Sequence, residues 1–206
     1  MRKNSVAVVI PIFGEDPYWD RIALRALASV AKQTRAPEEV FMIRSTSLAS
    51  ARNAGLMITS SEWVCFLDAD DELEPGYLEA MLDHALTGDL RYPRVRHIDK
   101  EGRVCDPFFP KVWDLQKENH MVCATLVRAR AVIAFGGFRE WPAYEDWDLW
   151  LRMIHAGAHA QFVPDAVYLY HREEGTMLNQ VANPKLLMQR IIRSHEDGEC
   201  LPHSFH

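Results

Sequence analysis

Asp68, Asp70 and Asp71 stand almost side by side, with only Ala69 between the first two. Carboxylates this close repel one another, so keeping several of them ionised takes a cation or solvent. Hard oxygen ligands of this kind suit Mg²⁺ or Mn²⁺, with a substrate diphosphate completing the coordination shell. The plain structural alternative is a solvated acidic turn that caps the following helix, because a short motif carries a high false-positive risk. An EF-hand loop is excluded, since Leu73 fills the position that needs Gly. A second acidic pair, Glu145-Asp146, opens a helix; acids in a first turn are also what the helix dipole favours. Arg52, in the first part of another helix, is a guanidinium able to pair with a phosphate or a base. Its alternative is a surface Arg, and Asn53 beside it reads equally well as a capping amide. His171-Arg172 follows a strand, where a lone His is more often structural than a ligand.

The elements around these residues have a consistent order. Trp63–Leu67 is an unbroken apolar run, the pattern of a strand buried on both faces of a parallel sheet. Its tip carries the three Asp, and in open α/β sheets such tips are where ligands bind. Pro75 and the periodic Tyr77, Leu78, Met81 and Leu82 predict a helix from Pro75 to Leu86. Upstream, Ser5–Ile12 reads as a strand, Trp19–Ala31 as a helix, Glu39–Ile43 as a strand and Leu48–Ile58 as a helix. The resulting β-α-β-α-β-α order is the signature of a parallel sheet with right-handed crossovers. Further on, Tyr92–Ile98 and Arg103–Cys105 form a hairpin turning at Gly102, and Asp106–His120 is irregular with Phe108, Phe109 and Trp113. Val122–Val127 is strand-like and Ala129–Phe135 a short helix before Gly136-Gly137. In the helix that Glu145-Asp146 opens, the apolar stripe is Trp147, Trp150, Leu151 and Ile154. Gln161–Val163 and Val167–Tyr170 are short strands, Asn183–Arg193 is an amphipathic helix, and the last residues are expected to be loose.

The totals set bounds on function. A chain of 206 residues with 48% apolar and 25% charged residues is an ordinary globular composition, sized for one α/β domain. The net charge of −6 and the absence of a basic run give no support to nucleic-acid binding. Cys65, Cys105, Cys123 and Cys200 lack CxxC spacing, which points to a reducing, cytoplasmic setting and no zinc site. Pro11 and the lack of a small-residue cleavage site argue against a signal peptide, and no apolar run approaches the ~20 residues of a membrane span.

The segments VAVVIPIFGE, ARNAG at 51–55, LDADDELEPGYL at 67–78, LVRARAVIAFGGFRE at 126–140, YEDWDLWLRMIHAG at 144–157 and VYLYHREEGTM at 167–177 together resemble the family 2 glycosyltransferases of GT-A fold. The resemblance implies a Rossmann-like α/β domain over residues 1–178, with a central, mostly parallel sheet flanked by helices, and a C-terminal helix and tail at 179–206. It implies transfer of a sugar from a nucleotide-sugar donor to a hydroxyl acceptor, inverting the anomeric centre, with Mn²⁺ or Mg²⁺. The acceptor class stays open: a glycan, a lipid-linked carrier, a protein or a small molecule. The processive members' QxxRW motif is absent from the sequence, so single-residue transfer is expected. By the same resemblance Pro11, Phe13, Glu15, Arg52, Asp68 and Arg172 serve the donor, and Asp70 and His171 the metal. Asp146, with Glu145 as alternative, is the general base, and Trp141 and Tyr144 flank the acceptor.

One stretch departs from the family pattern. After the second strand the family has an acidic turn whose Asp reads the nucleotide base, whereas here the chain runs Ile43-Arg44-Ser45-Thr46-Ser47 without a carboxylate. Nucleotide selectivity looser than, or different from, a UDP preference is therefore expected. A rival reading is a catalytically inactive sugar-nucleotide binding or scaffolding protein of the same fold. A sugar nucleotidyltransferase is disfavoured, because IPIFGEDPYWD is not the Gly-rich, basic loop that such enzymes carry after the first strand.

Overall fold

The computed structural model describes residues 2–83, 85–99, 101–105, 115, 119–171 and 181–196. Its first half follows the expected alternation: β1 (Arg2–Phe13), α1 (Pro17–Ala31), β2 (Glu39–Ser45), α2 (Leu48–Ile58) and β3 (Ser61–Phe66). Asp16 caps α1 by accepting the Tyr18 N–H at 2.9 Å, and Ser47 caps α2 by accepting the Ser50 N–H at 3.0 Å. β1 runs straight through Pro11 to Phe13. The missing N–H is tolerated because the β1–β3 ladder already ends at Val9 opposite Phe66. Helix α2 lies directly on β1 at Gly55, where a Cβ would come within 2.5 Å of the Val9 side chain.

Then come β4 (Glu72–Leu73), α3 (Tyr77–Met81), β5 (Leu90–Ile98), β6 (Val104–Cys105), β7 (Leu126–Arg128), α4 (Ala129–Ala134), α5 (Glu145–His155), β8 (Ala160–His171) and α6 (Pro184–Glu196). One mixed sheet results, in the order β2-β1-β3-β7-β5-β8-β4 with β6 paired to β5. The long ladders β1–β2, β1–β3 and β5–β8 are parallel, and β7 joins the two parallel groups by short antiparallel pairings. The architecture is thus the expected α/β domain with a mostly parallel sheet flanked by helices. Trp147 and Trp150 are both fully buried, each burial worth about 1.5–3 kcal/mol. Leu187 and Ile191 of α6 belong to the same apolar cluster as α5, so that helix closes the core.

Three expected elements differ. The helix expected over Pro75–Leu86 is only Tyr77–Met81. The buried Arg91 guanidinium takes the Met81 carbonyl at 2.6 Å and the Leu86 carbonyl at 2.9 Å, ending the helical ladder there. The strand expected from Val122 starts only at Leu126, because the Thr125 N–H and hydroxyl both turn back to the Val122 carbonyl, at 3.0 and 2.8 Å. The two short strands at 161–170 are one strand, β8, whose ladder with β5 skips from Pro93–Val163 to Arg94–Val167 and so absorbs Pro164 in a bulge. The irregular stretch at 106–120, apart from Leu115, Asn119 and His120, and the tail after Glu196 lie outside the described residues.

Candidate active site

A cavity of about 460 Å³ opens where β1 and β3 end, bounded on the far side by β5 and β8 and capped by the first turn of α5. Of the residues singled out from the sequence, Pro11, Phe13, Arg52, Asp68, Asp70, Tyr144, Glu145 and Asp146 all line it. Segments up to 159 residues apart in the chain meet there, from Pro11 to Tyr170.

Arg52 organises the floor. Its side chain is 3% exposed and lies over the Phe138 ring, with its guanidinium bonded to Asp68 at 2.6 Å and to Glu145. Three elements, α2, the β3 tip and α5, are therefore joined by one cation. Arg52 was expected to serve the donor; it lines the cavity, and in the structure its guanidinium is bonded to two carboxylates. The neighbouring Asn53 is a backbone clamp: its amide donates to the Phe138 carbonyl and accepts the Phe138 N–H, both at 2.8 Å. Gly137, at φ +71°, passes so close that a Cβ there would lie 2.4 Å from Asn53 Oδ1.

The α5 pair divides its work. Glu145 is buried and held by Arg52, whereas Asp146 is half-buried and faces the cavity. Asp146 Oδ1 accepts the Trp147 N–H at 2.7 Å and the Asn119 amide at 3.3 Å. Tyr144, in left-handed backbone at φ 63°, delivers the chain into this turn. A bulky residue there is unusual, and such backbone clusters at functional sites. Burial first, then the charges of Glu145 and Asp68, push the Asp146 carboxyl up to about 7, against the opposing pull of Arg52 and the Trp147 N–H. Helix-dipole reasoning alone would have kept it low; desolvation and like charge outweigh the dipole here.

The Asp68–Asp71 turn closes on itself, with the Asp71 N–H donating to the Asp68 carbonyl at 3.1 Å. Asp71 is buried and faces inward. It accepts the Tyr168 hydroxyl and, at 2.7 Å, the His171 N–H, so it ties the turn to the end of β8. The Asp70 carbonyl accepts from Arg25 of α1. Burial and the nearby Asp70 and Asp68 raise the Asp71 carboxyl well above the usual carboxylate range.

Other expected residues sit elsewhere. The His171 ring contacts Glu72 at 2.8 Å and is not part of the cavity wall. Glu15 is exposed outside the cavity, and Trp141 packs half-buried against the core behind Tyr144. Arg172 lies outside the described residues. Arg44 bonds to Asp20 and to the Gly14 carbonyl, bracing the β1–α1 loop rather than lining the cavity. The sequence reading missed the opposite wall: Val95 and His97 of β5, Tyr168 and Tyr170 of β8, and Asn119–Cys123. Its one signal was the alternation Tyr168, Tyr170 in a strand that otherwise reads as core.

Among the described residues, no three His, Cys, Asp or Glu side chains converge as a closed metal cage. At the strand tip, Asp68 and Asp70 are wall carboxylates whose oxygens could serve a cation. That set fits a hard cation taking the rest of its shell from substrate and water, not a softer metal such as zinc.

The sequence model of Glycosyl transferase family 2 matches residues 43–107. A pre-mycofactocin glycosyltransferase of Mycobacterium tuberculosis, strain CDC 1551 / Oshkosh, is 33% identical over 143 residues, 61% of this chain and 30% of the relative. The same figures hold for that protein from strain ATCC 25618 / H37Rv. The chain thus spans 30% of the length of the curated relatives it matches. Among solved structures, S. aureus TarS 1-349 in complex with UDP-GlcNAc superposes with a TM-score of 0.69 at 16% identity, covering 97% of this chain and 68% of that one. TarS 1-349 in complex with UDP gives 0.60 at 14% identity, covering 92% and 70%. The chain is thus similar in sequence to family 2 glycosyltransferases, and its fold is that of the glycosyltransferase structures it superposes on.

Proposed function

We propose that the chain transfers a single sugar from a nucleotide-sugar donor to a hydroxyl acceptor, inverting the anomeric carbon, with Mn²⁺ or Mg²⁺ as cofactor. The observation that carries this reading is Asp146, a cavity-facing carboxyl pushed up to about 7 across from Asp68 and Asp70. A base poised near the working pH combines availability with driving force for proton transfer. In the reaction the acceptor O–H gives its proton to Asp146 as its oxygen bonds the anomeric carbon. The bond from that carbon to the diphosphate oxygen breaks, and the nucleoside diphosphate leaves with the electron pair. One base suffices for this single displacement, and Glu145, sealed by Arg52, is not offered as a nucleophile. A bound divalent cation, held by Asp70 and Asp68, would supply neutralisation of the charge developing on the leaving group.

The relatives' names and bound ligands support a nucleotide-sugar donor, and the buried free thiols of Cys65 and Cys123 suit a cytoplasmic setting. Among the described residues no helix is long and apolar enough to cross a membrane. A second reading, a sugar-nucleotide binder without turnover, is favoured by one observation: the stretch after β2 carries no carboxylate to read a base, and its Arg44 is turned to Asp20. A panel of UDP-, GDP-, CDP- and dTDP-sugars with Mn²⁺ separates the two. Release of nucleoside diphosphate supports the transferase, whereas calorimetric binding without release supports the binder.

A further inference from the structure

We propose that Asn119 is a positioning residue for the base: it holds one oxygen of Asp146, Oδ1, and leaves the other, Oδ2, to take the acceptor's proton. This rests on the reading of Asp146 as the base. Two donors converge on Oδ1, the Trp147 N–H at 2.7 Å and the Asn119 amide at 3.3 Å. Each oxygen of an ionised carboxylate has about two lone pairs to offer, so these two donors fill Oδ1. Among the described residues no donor lies on Oδ2, and the side chain borders the cavity. The acceptor O–H bond therefore breaks as an Oδ2–H bond forms, and the two bonds to Oδ1 stay in place.

The orientation of the Asn119 amide is set by its second bond. Its oxygen accepts the Met121 N–H at 3.3 Å, which turns the NH₂ group toward the carboxylate. The same stretch of chain is tied to the start of α5 a second time, where the Trp147 indole N–H donates to the Leu115 carbonyl at 2.7 Å. After it, the Thr125 turn back to the Val122 carbonyl fixes the exit of the stretch. A donor on the ionised form favours that form, so Asn119 lowers the pH at which Asp146 ionises. It acts with Arg52 of α2 and against Glu145 on α5 and Asp68 at the β3 tip, the charges that face this carboxyl. Burial raises the Cys123 thiol and the Tyr144 phenol and keeps both neutral, and the His120 ring lies edge-on to Tyr92 at 5.7 Å. Asn119 is the uncharged side chain among the described residues that donates to Asp146.

The test is a pH titration of the Asp146 carboxyl carbon by ¹³C NMR, in protein labelled at Asp Cγ, with Asp146→Asn identifying the signal. The wild-type midpoint is expected at about 7. Asn119→Ala should move it upward, and the near-isosteric Asn119→Leu, which fills the same space without a donor, should move it upward as well. The backbone N–H of Trp147 should shift with the wild-type midpoint yet stay protected from exchange on both sides of it, because the proton goes to Oδ2. A cooperative thermal transition shows each variant folded, and Asn119→Leu decides if Asn119→Ala does not fold. A midpoint unmoved or lowered in the folded variants overturns the proposal, as does a Trp147 N–H released when Asp146 is protonated. A wild-type Asp146 that titrates in the ordinary carboxylate range would instead overturn the reading of it as a poised base, and the variants would still show whether Asn119 acts on it.

Discussion

At the scale of single residues, position in the sequence and role in the site part company at Asp71. It looks like a third member of an acidic metal motif, yet its carboxyl points into the protein and anchors the turn to β8 through Tyr168 and His171. Groups that orient a metal-binding turn typically matter ~10–100-fold to metal affinity. Asp71→Ala should weaken Mn²⁺-dependent UDP binding by a factor in that range, and Asp71→Asn, which keeps an acceptor oxygen for the His171 N–H, should lose less; calorimetry reads both. Equal, wild-type affinities would return Asp71 to a passive role. Arg44 carries the second residue-level expectation. With its guanidinium on Asp20 and Gly14, no carboxylate stands at the end of β2 to read a base, so UDP, GDP, CDP and dTDP should bind within about tenfold of one another, about 1.4 kcal/mol. Strong UDP preference in a competition assay would mean that another group reads the base. The carboxylates and the acidic helix start were legible in sequence because their chemistry is local. The Arg52–Glu145 pair was not, since its partners are 93 residues apart and nothing in either segment names the other.

At the scale of elements, the site is held by contacts between secondary-structure ends. Arg52 joins α2, the β3 tip and α5, and its removal would leave Glu145 buried without a counter-charge. Breaking a buried pair from one side typically costs about 3–5 kcal/mol. Arg52→Met should therefore lower unfolding stability by roughly that amount in a denaturant titration, and should lower activity further by freeing the first turn of α5. A loss under about 1 kcal/mol, the range of an exposed pair, would show that the clamp is not the constraint described here. Strand and helix identities were largely readable from periodicity, because burial on one face or two imprints itself on residue spacing. What periodicity could not show was where elements stop. Met81 ends α3 because Arg91, ten residues on, takes its carbonyl, and the Val122 turn exists because Thr125 bonds backward. The second turn mattered most, because it sets Val122 and Cys123 against the cavity instead of in the sheet.

At the scale of the whole molecule, a chain of net charge −6 presents an acidic strand tip to the cavity. A free diphosphate is repelled there, so donor binding is expected to require a divalent cation. Thermal stabilisation by UDP should appear with Mn²⁺ and vanish with chelator, and Asp70→Ala should abolish it. Full retention in that variant would remove Asp70 from the site. The sheet order was only partly readable. The β-α-β-α-β-α half announces itself, whereas β7, three residues long and antiparallel between two parallel groups, carries too little sequence to reveal its direction.

The central claim is that Asp146 takes the acceptor's proton, and the pH dependence of transfer tests it most directly. Ionised Asp146 is the active form, so with its carboxyl pushed up to about 7 the rate should climb as pH rises through about 7 and level off above it. Asp146→Asn keeps the shape and removes the basicity. It should cost ~10²–10⁴ in rate and abolish that inflection, while UDP and Mn²⁺ affinity stay near wild type. A variant that transfers at near-normal rate with the inflection intact would contradict the assignment. The role would pass to Glu145 if Glu145→Gln, shown to be folded, were inactive, and the mechanism would fall if both variants remained active.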